Sequence, residues 1–598
     1  MRRHRLLAIA APVSLVAALF GSTPASASSG VGNVPQGTQS DATYAASAAV
    51  NGVANVFATT QRVSCYRPED PYFGNLGPAN GYTGTSPCGS AATTGEDTGA
   101  APYPTQAGSN AGYPAAQPML VKNHSESDIR VDPTNPKHLI GSSKWAVSAE
   151  GYNHVLGFFE SFDGGKSWKV QGHIPGYEGW TDNTDPVGAF DSHGNYYSLI
   201  LGYEFYYNPD GSHNFHTTQN IEPNPAVAAE AITIAVRKHG ATAADDWSSN
   251  RAGAQDIIAS YPSKGREPDK QWITIDTNPA SPHFNRIYAM WVVFDNLTAV
   301  PWASYADANG DGTHTPWSTP QRLPTAGNNP QGDTYLLPHV DGNGNVFTPL
   351  ANFADKSTLT SILLDRSTDG GVSWEAVSTI VHNVTAPPLE YANTNFRDGI
   401  EDTFAVGPNR LGNGTYPLYT AWEDYSAGFG NLILSASFDG GLTWSAPIQV
   451  NDNQSTSVDA FQPNMTAAAD GTVLVAFYDR RLACPTGEEA SAAGLGLDPN
   501  NPAGATNYCI NASLQAYTPS LAPIAHNIRL SLHTWDPQLN SMKPAGIGRF
   551  EGFIGDYYGN ITAGTTDFTT SVSTYDDGRN PGHFQQQVVA IVTIPRQT

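Results

Sequence analysis

Carboxylates recur where successive β-rich stretches of this chain begin: Asp128, Asp185, Asp269, Asp333, Asp402 and Asp556. A second series closes the β-run that follows, with Asp295, Glu423-Asp424-Tyr425, Asp479-Arg480-Arg481 and Asp576-Asp577-Gly578-Arg579. Aromatic residues stand close by in sequence, among them Trp145, Tyr152, Trp291, Trp422, Tyr478 and Tyr557. Paired acids can give and take a proton, arginine forks hold a carboxylate, and aromatic rings stack on sugar faces. Together they suit an acidic or neutral sugar. Asp402, Glu423, Asp424 and Asp479 are the candidate catalytic acids. Arg480, Arg481, Arg397, Asp185, Tyr425 and Asp556 are the candidate substrate-binding residues. Each also has a plainer reading, since acids at strand ends cap turns or neutralise a neighbouring arginine.

The elements that must position these side chains are repeats. Ser161-Phe-Asp-Gly-Gly-Lys-Ser-Trp168 returns as Ser367-Thr-Asp-Gly-Gly-Val-Ser-Trp374 and as Ser437-Phe-Asp-Gly-Gly-Leu-Thr-Trp444. Asp163, Asp369 and Asp439 can accept from nearby backbone N–H groups. The Gly-Gly pairs permit positive φ, and each octamer follows a short apolar run, so each reads as a strand–turn–strand hairpin. Around them runs a looser module: a carboxylate with a β-run, a turn, a longer β-run ending in polar residues, and a third strand. It opens near Ser127, Thr184, Asp269, Asp333, Glu401, Asp459 and Gly555. Seven modules of roughly 45–80 residues predict an all-β propeller of four-stranded blades. Six blades remain the alternative, if the last module only completes the first.

The octamers match the Asp-box, and residues 124–592 resemble the bacterial sialidase-like (BNR/Asp-box repeat) β-propellers. That resemblance implies a channel with one active-looking mouth. The loop entering the innermost strand and the loop joining strands two and three lie there. The Asp-box, joining strands three and four, lies on the opposite side, so Asp163, Asp369 and Asp439 are expected to be structural. The resemblance further implies hydrolysis of terminal sialic acids by an arginine triad, a Tyr–Glu nucleophile pair and an Asp acid/base. The Arg-Ile-Pro motif expected before the first blade has no counterpart, the nearest arginine being Arg130 in Asp-Ile-Arg-Val-Asp-Pro. The triad and nucleophile are therefore not assigned to positions. The expected function is a sialidase-like glycoside hydrolase acting on a terminal or acidic glycan. Its alternatives are a non-catalytic carbohydrate- or protein-binding propeller, and a polysaccharide lyase using Tyr425 or Tyr557 with Arg480.

The N-terminus carries arginines, an apolar run from Leu6 to Phe20 and Ala25-Ser26-Ala27, the pattern of a secretory signal peptide cleaved near Ala27. A secreted protein without a membrane span is expected. Residues 28–120 form a leader rich in Gly, Ala, Ser and Pro, and 121–598 the propeller. The formal charge of −24 disfavours nucleic acid and anionic lipid as partners. A carbohydrate or glycoconjugate partner and a monomer are expected. In an exported chain the four cysteines should pair, with Cys65–Cys88 and Cys484–Cys509 the local choice. No cofactor is required. Asp307, Asn309 and Asp311 match the start of a calcium loop, but Ser318 stands at its twelfth position, and an Asx-rich turn or an expanded Asp-box reads equally well.

Overall fold

The computed structural model describes residues 58–62 and most of 123–594. Among the described residues there is no helix, and none long and apolar enough to cross a membrane. Seven antiparallel blades account for nearly all the strands. Blade 1 runs Asn123–Val131, Leu139–Ala146, His154–Ser161 and Val170–His173. Blade 2 runs Asp182–Phe190, Tyr196–Tyr203, Glu230–Arg237 and Ile257–Tyr261. Blade 3 runs Glu267–Ile275, Arg286–Asp295, Thr298–Asp307 and Gln321–Arg322. In blade 4 the inner edge is split into Asp333–Thr334 and His339–Val340, followed by Val346–Asp355, Thr358–Ser367 and Glu375–His382. Blade 5 runs Thr403–Val406, Leu418–Asp424, Asn431–Ser437 and Ile448–Gln449. Blade 6 runs Ala460–Ala467, Val473–Asp479, Asn511–Tyr517 and Ile528–Arg529.

Blade 7 settles the count. It has its own inner strands, Asn560–Ala563, Thr566–Ser573 and Gln586–Thr593. Its outermost strand is Ala58–Arg62, paired antiparallel with the C-terminal strand from Ala58↔Val592 to Arg62↔Val588. The last module is thus a blade in its own right, and the ring is closed by a strand from the N-terminal side of the sequence. The middle strands are packed on both faces, as in Val473–Asp479, where every residue is buried. Leu199, Ile232, Ile287, Trp291, Leu364 and Leu418, from successive blades, share one buried cluster.

The Asp-boxes staple neighbouring blades. In the first, Asp163 Oδ1 accepts from Ser167 N at 2.9 Å, Asp163 Oδ2 accepts from Ser167 Oγ at 2.6 Å, and Ser161 Oγ accepts from Gly165 N at 2.9 Å. The other two repeat this pattern. Hydrogen bonds from Ser167 and Ser161 outweigh slight burial and hold the Asp163 carboxyl down at about 2. The second glycine of each box presses on the preceding blade. A Cβ on Gly441 would lie 2.3 Å from Leu364 Cδ2, and one on Gly165 would lie 2.9 Å from Ile591 Cδ1 of blade 7.

Candidate functional site

The mouth opposite the Asp-boxes is shaped by one recurring backbone device. The innermost strands carry a bulge, and the residue in it is left-handed although it is not glycine. These residues are Glu126 at φ 46°, Asp185 at 55°, Lys270 at 53° and Gln462 at 46° in blades 1, 2, 3 and 6. Tyr335, at φ 61°, takes the same place between the two inner segments of blade 4, and Gly555, at 106°, leads into blade 7. A bulge turns its side chain out of the strand alternation. Left-handed backbone on a side-chain-bearing residue costs of order 1–3 kcal/mol and gathers at functional sites.

Two ion clusters result. Glu126 and Asp185 share a hydrogen bond. Lys144, from the second strand of blade 1, lies 3.3 Å from Glu126 and 3.5 Å from Asp185. Burial pushes the Glu126 carboxyl well up, and the Asp185 charge adds to this. Burial also pushes Asp185 upward, but Lys144, the Glu126 hydrogen bond and Lys270 together bring it below its usual range. The two shifts therefore run in opposite directions, and Glu126 is the readier of the two to hold a proton. In the second cluster, Lys270 Nζ lies 2.6 Å from Asp556 Oδ2, and Arg397 Nη2 donates to the same oxygen. Arg397 reaches it because Phe396–Arg397 pairs in parallel with Gly552–Phe553, joining the lead-ins of blades 5 and 7.

A small cleft opens beside these clusters. Asp185, Lys270, Trp272, Tyr335, Leu337 and Tyr557 are among its lining residues. Trp272 and Tyr557 meet edge to face at 5.3 Å, and Lys270 Nζ sits 5.4 Å from the Tyr335 ring centre. Its walls thus combine aromatic faces with one cation and one carboxylate. Deeper, Tyr391 OH donates to Glu423 Oε2 at 2.8 Å, Glu423 Oε1 accepts from Gln462 N at 2.5 Å, and Glu423 is hydrogen-bonded to Asp398. Burial raises Glu423 to about 7 and, with the Glu423 charge, raises Asp398 well up. Tyr391 is packed against Phe461 and is 1% exposed, so this trio lies beneath the mouth rather than in the cleft.

The candidates from sequence divide sharply. Asp185 and Asp556 are at the mouth, and Arg397 joins them. Glu423 is close beneath. Asp424 caps its own turn, accepting from Ser426 N at 3.0 Å. Tyr425 lies against Tyr391, with ring centres 6.0 Å apart. Asp479 is held by Arg481 Nε at 2.5 Å, and Arg481 also reaches Asp452 and Asn527. Arg480 is 0% exposed, bound to Asp459 at 3.1 Å and to backbone carbonyls of Ala392 and Asn393. Asp479, Arg480 and Arg481 thus form inter-strand packing, and neither arginine is presented to a ligand.

The expected ring of module-opening carboxylates is corrected by register. Asp185 occupies the bulge itself, Asp269 precedes the bulge residue Lys270, and Asp556 follows Gly555. Asp128 falls beyond its bulge and is spent on Arg130 and on Gly188 N. Asp333 precedes Tyr335 and accepts from Asn352 at 2.5 Å. Asp402 is buried, with neither carboxyl oxygen bonded by another described residue, and burial raises it to about 8. Residues that look equivalent in sequence point different ways because one position along a strand reverses the face. Glu126, Lys144, Lys270, Trp272 and Tyr335 were not among the candidates. A left-handed non-glycine residue leaves no mark in composition, and only an alignment of modules shifted by one or two positions would have found it.

Asp307, Asn309 and Asp311 lie at the turn between the third and fourth strands of blade 3, where an Asp-box would be. Asp307 is paired with Arg286 at 2.7 Å, Asn309 donates to Thr313 Oγ1 at 3.0 Å, and Asp311 accepts from Thr313 N at 2.9 Å. The three serve the turn, and among the described residues no group of three acidic, histidine or cysteine side chains could hold a metal ion. Cys484 and Cys509 are bonded, with Cα atoms 5.4 Å apart. Cys65 and Cys88 lie outside the described residues.

No protein-family model and no curated protein sequence matches this chain. Among solved structures it is similar to a protein of unknown function from Dyadobacter fermentans DSM 18053, at 12% identity over 79% of this chain and 95% of that one, with a TM-score of 0.41. It is also similar to Trypanosoma rangeli sialidase in complex with the inhibitor DANA, at 11% identity over 63% of this chain and 55% of that one, with a TM-score of 0.36. A third is NanB sialidase from Streptococcus pneumoniae, at 11% identity over 80% of this chain and 71% of that one, with a TM-score of 0.36. The strand pairing of the chain itself makes it a seven-bladed β-propeller.

Proposed function

We propose that this chain is an exported, sialidase-like glycoside hydrolase that takes an acidic sugar at the bulge-lined mouth. The observation that carries this reading is the meeting of Asp185 with Lys270 and the rings of Trp272, Tyr335 and Tyr557 in one small cleft, with Glu126 and Lys144 beside Asp185. In this reading the rings stack on the sugar and Lys270 attracts its negative group. The carboxyl pair passes its proton to the glycosidic oxygen as the bond to the leaving group breaks. The pair then recovers a proton from the water that adds to the sugar. The signal-peptide pattern supports export, and so does the Cys484–Cys509 bond, which suits an oxidising compartment.

A panel of fluorogenic sialosides and acidic glycosides tests this. The wild type should turn over at least one, and E126Q and D185N should each lower kcat by about 10²–10⁴ while leaving binding within a few fold. A wild type that turns over nothing on the panel sinks the hydrolase. One observation favours a second reading, a glycan-binding propeller without turnover. Glu126 and Asp185 touch, whereas glycosidases working with two carboxylates hold them roughly 5–9.5 Å apart. Saturable retention on a glycan array with no product would select it.

A further inference from the structure

Asp556 is held in an unusual way. Both Lys270 and Arg397 address the same oxygen, Oδ2, while Oδ1 is buried without a hydrogen-bond partner among the described residues. Two cations thus share one carboxylate oxygen while its twin has no hydrogen-bond donor among the described residues. The two cations are not sealed in, since the Lys270 side chain is 10% and the Arg397 side chain 16% exposed. Lys270 also lines the small cleft beside Trp272, Tyr335 and Tyr557. The Lys270 side of the cradle therefore faces the aromatic cleft, and Asp556 occupies the cradle.

We infer that Asp556 is an internal stand-in for the carboxylate of an acidic sugar, so that ligand binding exchanges one carboxylate for the other on Lys270 and Arg397. The inference rests on reading the mouth as an acidic-sugar site and adds that the site is self-occupied at rest. The backbone there is clamped. A Cβ on Gly399 would lie 2.6 Å from Asp556 Cα, and one on Gly555 would lie 2.6 Å from Glu126 N. Neither segment can withdraw without opening these contacts, so the exchange is a rotation of the Asp556 side chain. Lys144, Lys270 and Arg397 face Asp185, Asp269 and Asp556, and burial raises the Glu126 and Asp269 carboxyls. A ligand carboxylate that displaces Asp556 replaces a one-oxygen contact with two-point binding, and the aromatic walls add the rest.

Removing an internal competitor should strengthen binding, which sets this apart from any structural or catalytic role for Asp556. Calorimetric titration with N-acetylneuraminate, glucuronate and neutral glucose tests it. D556N should bind an acidic sugar about tenfold tighter than the wild type, with glucose unchanged. Equal or weaker binding by folded D556N overturns the inference. Should D556N fold poorly, D556A gives a second readout. Acetate should raise its melting temperature by several degrees by filling the vacated cradle, while acetamide should not, and acetate should leave the wild type unmoved. No acetate effect on D556A also overturns the inference. A wild type that binds no acidic sugar overturns both this inference and the functional reading. A wild type that binds one, with D556N no tighter, overturns this inference alone.

Discussion

Arg481 offers the sharpest separation between a packing role and a ligand-binding one. Its side chain is 1% exposed, and its partners among the described residues include Asp479 at 2.5 Å, Asn527 at 2.7 Å, and Asp452. R481M keeps most of the volume and removes the charge. Asp479 and Asp452 are then buried acids with their cation gone, and breaking one buried pair costs about 3–5 kcal/mol. Burial already raises the Asp479 carboxyl despite Arg481. In the variant this acid will take up a proton, and protonation relieves part of the cost at low pH. The loss should therefore lie near the lower bound at pH 5 and near the upper bound at pH 8. Urea unfolding at the two pH values measures it, read as a lower midpoint with the slope unchanged. D479N in the same chain should restore part of the loss. Affinity for an acidic sugar should not change. A stability loss below about 1 kcal/mol, far short of what a broken buried pair costs, would refute the packing assignment. So would a loss of sugar affinity at unchanged stability, which would return Arg481 to the binding residues.

Two further outcomes follow from the buried acid of blade 5 and from the Asp-box turns. Asp402 has a folded-state value of about 8, raised by burial from the ordinary carboxylate range. Because the value is raised, its contribution is most favourable below about pH 4 and is lost as pH climbs through about 8. D402N should therefore flatten the fall in melting temperature between pH 5 and pH 8, and an unchanged slope would count against a neutral Asp402. G441A should cost roughly 2–4 kcal/mol, from a Cβ overlapping Leu364 and from positive φ at 89°. Denaturation measures this cost, and glycan binding at the far mouth should stay as it was. Near-parental stability would mean that the staple between blades 4 and 5 is slack.

The propeller was legible because its signals are short-range. The three octamers close their turns with hydrogen bonds spanning at most four residues, as from Gly165 N to Ser161 Oγ and from Ser167 N to Asp163 Oδ1. A turn of that kind is carried whole by its own sequence, and three copies reveal the unit. The candidate site was legible only in part. Asp185, Asp556, Arg397 and Glu423 could be picked out by residue type and by their place at strand ends. Asp479, Arg480 and Arg481 share the same types and places, yet they are consumed by Asp452, Asp459, Asn527 and backbone carbonyls from other segments. No local pattern tells such partners apart from solvent.

What the amino-acid sequence determined by itself is the blade: alternating apolar runs, turns with glycine where φ is positive, and a period that calls for a ring. Tertiary structure decided the rest. It drew Ala58–Arg62 across the sequence to complete the seventh blade. It set bulges in the inner strands, which sent Glu126, Asp185, Lys270 and Tyr335 to one mouth and left Asp128 and Asp333 bonded elsewhere. The physical reason is the period of two along a strand. The face of a side chain depends on register, and register is set by the partner strand and the neighbouring blade rather than by the residue itself.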